Sequence, residues 1–210
     1  MPPAHRHPRR TTLSVSLHAC KSDQVDQAPY LSGQLLLALP GMSDPRFRQA
    51  VIAMCVHDDN GALGIGIGHV LADLTFHALL EQVGIEPGAG PDAAVHWGGP
   101  VEPSRGFVIH STDWGGQDTI HIGKSWALTG TLDILRELAA GKGPSRWLVA
   151  LGYAGWSAGQ LDHEMTRHGW LTAPASPRLL FETPHDARWN AAFEASGIDP
   201  RLLSPVSGTA

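Results

Sequence analysis

Cysteine is almost missing from this 210-residue chain, with Cys20 and Cys55 as the whole supply. So few thiols exclude a disulfide framework and make a reducing compartment the expectation. Charge is scarce as well: 17% of residues, 15 basic against 20 acidic, for a formal net charge of -5. No stripe of Lys and Arg is present of the kind that neutralises a phosphate backbone, so direct nucleic-acid binding is not expected. Long apolar runs are lacking too. The stretch Val51 to Val56 falls far short of the roughly 20 residues that a membrane helix requires, and no segment is expected to span a bilayer. No repeat recurs, and no Pro/Gly/Ser linker divides the chain after Leu31.

What is present is 42% apolar residues with 24 Gly and 16 Pro, the balance of a turn-rich globular protein. One domain over residues 31–210 is expected, behind a flexible leader at 1–30. Within that leader RRTTLSV resembles a twin-arginine signal, but Ser14, Ser16 and His18 break the apolar stretch that export needs. A cytoplasmic protein is the reading.

Periodicity places the elements. LLLAL (35–39) is a short buried strand, and QAVIAMCVH (49–57) and ALGIGIGHVL (62–71) form a hairpin across the turn DDNG. Asp73 is expected to cap a helix that turns Phe76, Leu79, Leu80 and Val83 inward and ends at Gly84. Strands are expected at 94–99, 106–111, 118–123 and 125–129, then a helix at 131–141 with Leu132, Leu135 and Leu138 inward, and a central strand at 146–153. A helix carrying Leu161 and Met165 follows, then an extended WLTAPA (170–175). Thr183, Pro184 and Asp186 make a start signature for a last helix with Trp189 and Phe193 on one face, closed by Gly197. The pattern is α+β, with a mixed, largely antiparallel sheet flanked by helices.

Several motifs suggest chemistry. GWSAG (155–159) matches the G-x-S-x-G nucleophile elbow, HWGG (96–99) resembles an oxyanion loop, and His163, His168 and His185 follow in a hydrolase-like order. Against this, only 53 residues follow Ser157, too few for the strand-helix units that carry acid and base. Ser157 and Gln160 also spell S-x-x-Q, a capping box that explains the serine without a reaction. GKS (123–125) lacks the first glycine of a P-loop, and GIGIG (64–68) lacks the third glycine of a dinucleotide fingerprint. His163, Glu164 and His168 are spaced one residue too long for a zincin pair, while His96, His110 and His121 could converge only from separate strands, so neither a metal nor a cofactor is expected. WGGPVEPSRG (97–106) is a tight connection, or else a concave site where Arg105 meets an anionic group or a partner's carboxylate.

Taken together, residues 35–67, 97–111, 151–165, 169–175 and 179–189 resemble the bacterial YqgE/AlgH family in order and spacing. The resemblance implies an α+β fold with a largely antiparallel sheet. It carries no established catalytic residue; one branch is described as a transcriptional regulator, without a recognisable DNA-binding motif. In the family's G-Y-A-x-W-x-x-G-Q-L pattern, Gly152, Tyr153, Trp156, Gly159, Gln160 and Leu161 match, whereas the place of Ser157 commonly holds Glu. Either residue suits a helix start, and a nucleophile could not be so exchanged. GHVL (68–71) departs from the N-K-P or N-R-P of relatives. The combined expectation is a non-enzymatic regulatory or interaction protein that engages a protein partner. Its functional surface is expected at Gly98, Gly99, Pro100, Arg105, Trp156 and Gln160, with a serine hydrolase using Ser157 as the alternative.

Overall fold

The computed structural model describes residues 30–167 and 169–203; the leader read at residues 1–29, with its twin-arginine stretch and Cys20, and the candidate ligand or base His168 lie outside them. The chain runs β1 (Gln34–Ala38), β2 (Val51–Asp58), β3 (Gly61–Gly66), β4 (Val70–Thr75), α1 (Phe76–Gln82), β5 (Ala94–Trp97) and β6 (Val101–His110). It continues through β7 (Ile120–Ile122), β8 (Trp126–Thr129), α2 (Leu132–Ala139), β9 (Trp147–Ser157), α3 (Gln160–Thr166), β10 (Trp170–Pro174) and α4 (His185–Ala195). The main strand order is β10-β1-β2-β3-β9-β6-β8-β7, antiparallel throughout. β5 joins β9 in parallel and β4 pairs with β5. The architecture is α+β with a mixed, largely antiparallel sheet.

Strict alternation gives the sheet two apolar faces. Leu35, Leu37, Val51, Ala53, Ile65, Ile109 and Leu128 turn inward onto Trp189, Ala192 and Phe193 of α4. Their neighbours Leu36, Ala38, Ile52 and Met54 turn outward beneath Leu161 of α3. A second outer cluster packs Phe76, Leu80, Ile134 and Leu138 of α1 and α2 on Val95, Val108 and Val149. Each fully buried Leu or Ile contributes about 2 kcal/mol through removal of apolar surface from water. Trp189 also donates its indole N–H to the carbonyl of Ala38 at 2.9 Å, which fixes α4 to β1. The sheet curls into a half-barrel: a side-chain carbon added at Gly33, just before β1, would lie 3.4 Å from Ile122 of β7. Gln34, Ser125 and Pro174 share a cavity of about 520 Å³ between the two sheet ends.

The pivot of the sheet is in β9. Leu148 and Ala150 face inward, yet Ala154 and Trp156, at the same parity, face outward. The reversal occurs at Gly152, whose φ of +75° inserts a bulge that few side chains tolerate. Along one edge of β9, β5 pairs with residues 149–151 and β3 with residues 154–157, so the sheet forks beside the bulge. Backbones crowd there. A Cβ on Gly152 would meet the Gly99 carbonyl at 2.4 Å, and one on Gly98 would meet the Gly152 carbonyl at 2.1 Å. The Gly98 N–H donates to Leu151 and its carbonyl accepts from Gly66, both at 2.8 Å.

The structure corrects several expectations. The glycine-rich strand stops at Gly66, and β4 is separate because the chain leaves β2 and crosses to β5. Thr75, not Asp73, caps α1 through the Ala78 N–H. Val83 lies just past the last residue of α1 and is exposed; Leu132 opens α2 on the solvent side, with Ile134 taking the core place. Thr183 donates to the Arg178 carbonyl instead of capping α4, whose cap residue is Pro184. The central strand runs on through GWSA's serine, because the bulge carries β9 past Tyr153 into pairing with β3.

Gly152→Ala combines a left-handed φ with a backbone clash, and a loss of about 3 kcal/mol or more is expected. Gly159→Ala has a φ of +69° but nothing within 4 Å of the added carbon, so about 1 kcal/mol is expected. Urea unfolding of the two variants separates crowding from dihedral strain, and equal losses would contradict the packing assigned to Gly152.

Candidate binding cleft

On the outer face, an open cleft of about 850 Å³ lies between the 39–47 loop, β9, α3 and the start of β10. The loop is shaped by Asp44, which accepts from the Arg46 N–H at 3.0 Å and opens a 3-10 turn at Pro45–Phe47. The Arg46 guanidinium closes on the same carboxylate at 2.6 Å and, with the backbone bond, holds Asp44 below the usual carboxylate range. This turn carries Phe47 onto Trp170, ring centroids 5.6 Å apart and nearly perpendicular.

The floor is organised by Glu164. Its Oε2 accepts from the indole N–H of both Trp156 and Trp170, each at 3.0 Å, and its Oε1 accepts from the Gln160 amide at 3.0 Å. The two indoles meet edge to face at 6.2 Å. Gln160 and Glu164 stand one turn apart on the same face of α3, and the Gln160 carbonyl oxygen accepts from the Ser157 N–H at 3.0 Å. A carboxylate so placed keeps acceptor capacity to spare, since it offers about four lone-pair sites and three are used. Arg167 lies on the rim. The cleft thus presents aromatic surface, a held anion and cationic side chains within one concavity.

Of the residues named from sequence, Pro100, Trp156 and Gln160 line this cleft. Gly98 and Gly99 are buried in the fork behind it and shape the backbone only. Arg105 is elsewhere: it pairs with Glu102 at 3.2 Å and stacks on Phe107, an inner-face residue, so the β6 bulge sends it away from Trp156. Glu164, Trp170, Phe47 and the 39–47 loop were not singled out as a site. The i, i+4 spacing of Gln160 and Glu164 was the available signal; Trp170 is placed by strand pairing, which local spacing does not encode.

Ser157 sits neither at a strand-to-helix elbow nor at a helix cap. It is the last residue of β9, opposite Gly61 in antiparallel pairing, and α3 is entered through Gly159 in a left-handed conformation. Only half of the capping box forms, the bond from the Ser157 N–H to Gln160. Among the described residues no imidazole is hydrogen-bonded to Ser157, and no three His, Cys, Asp or Glu side chains group as a metal site. His110 is spent on the Ser111 carbonyl and the Thr129 hydroxyl, both at 2.9 Å, and His96 faces His185, so the imidazoles of β5, β6 and β7 do not converge. Among the described residues no helix is long and apolar enough to cross a membrane.

A forked half-barrel with an aromatic cleft on one face defines an α+β protein without the strand-turn-helix scaffold of a serine hydrolase. Residues 35–201 match the AlgH-like family, and the chain belongs to this family, YqgE/AlgH. A UPF0301 protein of Rhizorhabdus wittichii is 58% identical over 186 residues, covering 89% of this chain and 100% of the relative. One of Novosphingobium aromaticivorans is 57% identical over 186 residues, again 89% and 100%. The solution structure of the AlgH protein from Pseudomonas aeruginosa is similar with a TM-score of 0.69 at 38% identity, covering 90% of this chain and 100% of that one. A crystal structure of a Corynebacterium diphtheriae protein, 20% identical with a TM-score of 0.66 over 81% of this chain and 89% of its own, shares the fold.

Glu164→Ala leaves two indole N–H groups without their acceptor, and a loss of about 1 to 3 kcal/mol is expected in urea unfolding. A change in tryptophan emission should accompany it, with Glu164→Gln intermediate because an amide oxygen still accepts. Unchanged emission in both variants would contradict the shared carboxylate.

Proposed function

We propose that this chain is a non-enzymatic interaction protein whose cleft receives a segment of a partner protein. The observation that carries the reading is Glu164, fixed by Trp156, Trp170 and Gln160 on the floor of an open concavity. Aromatic anchors surrounded by a polar rim are the composition of protein interfaces, where Trp and Arg supply most of the binding energy. The rim here offers Arg46, Asp44 and Arg167 to a partner's charges. A regulatory effect would run through such a contact; the net charge of -5 does not favour direct DNA binding. A cytoplasmic setting agrees with the sparse cysteine content.

A photo-crosslinking residue at position 160 is expected to give a discrete protein adduct in cells, while one at Asp133, exposed on α2 in the other outer cluster, gives none. Arg167→Glu should remove the adduct. Equal capture from both positions, or no capture from position 160, contradicts the proposal. A fluorophosphonate probe is expected to leave Ser157 unlabelled, and labelling abolished by Ser157→Ala would restore the hydrolase reading.

A further inference from the structure

Four charged side chains line the cleft: Asp44, Arg46, Glu164 and Arg167. Asp44 and Arg46 answer each other, their ion pair closing at 2.6 Å. The other two charges are unanswered. Among the described residues no ion pair includes Glu164 or Arg167, and every donor to the Glu164 carboxylate is a neutral N–H. Both stand at the end of α3, three residues apart, a spacing that sets Cβ atoms about 5 to 6 Å from one another. The two indoles hold the carboxylate toward the floor, while Arg167 is exposed at the rim. A cation and an anion therefore stand side by side in the concavity, each open to a counter-charge from outside.

The two oxygens of Glu164 differ. Oε2 is filled by the indoles of Trp156 and Trp170, both buried. Oε1 accepts only from the amide of Gln160, an exposed side chain, so the carboxylate's open lone pair lies on the solvent side. This asymmetry discriminates between cations. A guanidinium is bound best as a fork across both oxygens of a carboxylate, and here one of them is occupied. An ammonium needs a single acceptor per N–H and approaches as a point charge. Beside Oε1, the Gln160 carbonyl oxygen accepts only from the Ser157 N–H and keeps a second lone pair. The aromatic residues Phe47, Trp156 and Trp170, which line the same cleft, give apolar surface along which a four-carbon stem can lie.

We propose that the cleft selects its partner segment by a lysine, whose ammonium donates to Glu164 Oε1 and the Gln160 carbonyl, and by an acidic residue of the same segment that pairs with Arg167. This rests on the reading of the cleft as a partner site and adds the chemistry of the occupant. The spacing follows from the geometry of an extended chain. Side chains two positions apart share a face and lie about 7 Å from one another, which matches the separation of Glu164 and Arg167 on α3. The lysine and the acid are therefore two positions apart, and either chain direction serves.

The test is a titration of the full chain with an acetylated, amidated heptapeptide that carries lysine at its centre and a glutamate two positions to either side, followed by the indole N–H signals in NMR. Saturable 1:1 shifts at Trp156 and Trp170 are expected. Arginine in place of the lysine should weaken binding about tenfold, and norleucine, which keeps the stem without the charge, at least as much. Glu164→Gln keeps an acceptor for the indoles and should erase the preference for lysine over norleucine. Arg167→Glu, at an exposed position, should weaken this peptide and strengthen its counterpart with lysines in place of the glutamates. No saturable shift at about 10 mM peptide, arginine bound as tightly as lysine, or a lysine preference that survives Glu164→Gln would overturn the proposal. A discrete cellular adduct from position 160 without any lysine preference would strike the lysine alone and leave the cleft a partner site.

Discussion

The packing of glycine on glycine at the fork of the sheet is the constraint from which the rest follows. Gly152 and Gly98 each stand where a side chain would strike a neighbouring carbonyl, at 2.4 and 2.1 Å. Removing the side chains lets three backbone segments lie against one another and exchange hydrogen bonds. The left-handed turn at Gly152 then shifts β9 by one residue, which by the two-residue period of a strand sends every later side chain to the opposite face. Trp156 reaches the cleft for that reason alone. With regular pairing it would occupy the inner core, opposite α4, and Tyr153 would stand outside.

The segment HWGGP serves both faces from this fork. His96 points inward to α4, the two glycines pass between the strands, and Pro100 emerges at the cleft wall. A stretch of five residues thus links a buried histidine contact on one face with an aromatic concavity on the other. Its composition reflects three different demands: a polar side chain that can be buried, backbone without side chains, and a residue that fixes the exit direction.

Much of this architecture was legible in the chain. Apolar and β-branched runs located β1, β2, half of β6 and most of β9, the Asn-Gly turn located the first hairpin, and matching segments identified the family. What escaped was set by long-range pairing. A run of alternating apolar residues ending in a glycine-rich pentapeptide looks like a strand followed by a turn; only contact with β3 shows that the strand continues to Ser157. The serine's neighbours Trp156 and Gln160 line the cleft, while the capping role read for the serine does not form, since Gly159 already supplies the entry to α3. Arg105 shared a motif with Pro100, but the bulge between Val101 and Gly106 turns it to the other face.

Glu164 also has a mechanical meaning. Trp156 and Trp170 belong to β9 and β10, four places apart in the strand order, which in a flat sheet is about 19 Å at the usual strand spacing. Their ring centroids stand 6.2 Å apart, and one carboxylate holds both. Twist draws the edge strand β10 toward β9, and the carboxylate fastens the two like a clasp. The curvature at this end of the sheet is thus held by one side chain of α3, a helix that belongs to neither of the strands it joins.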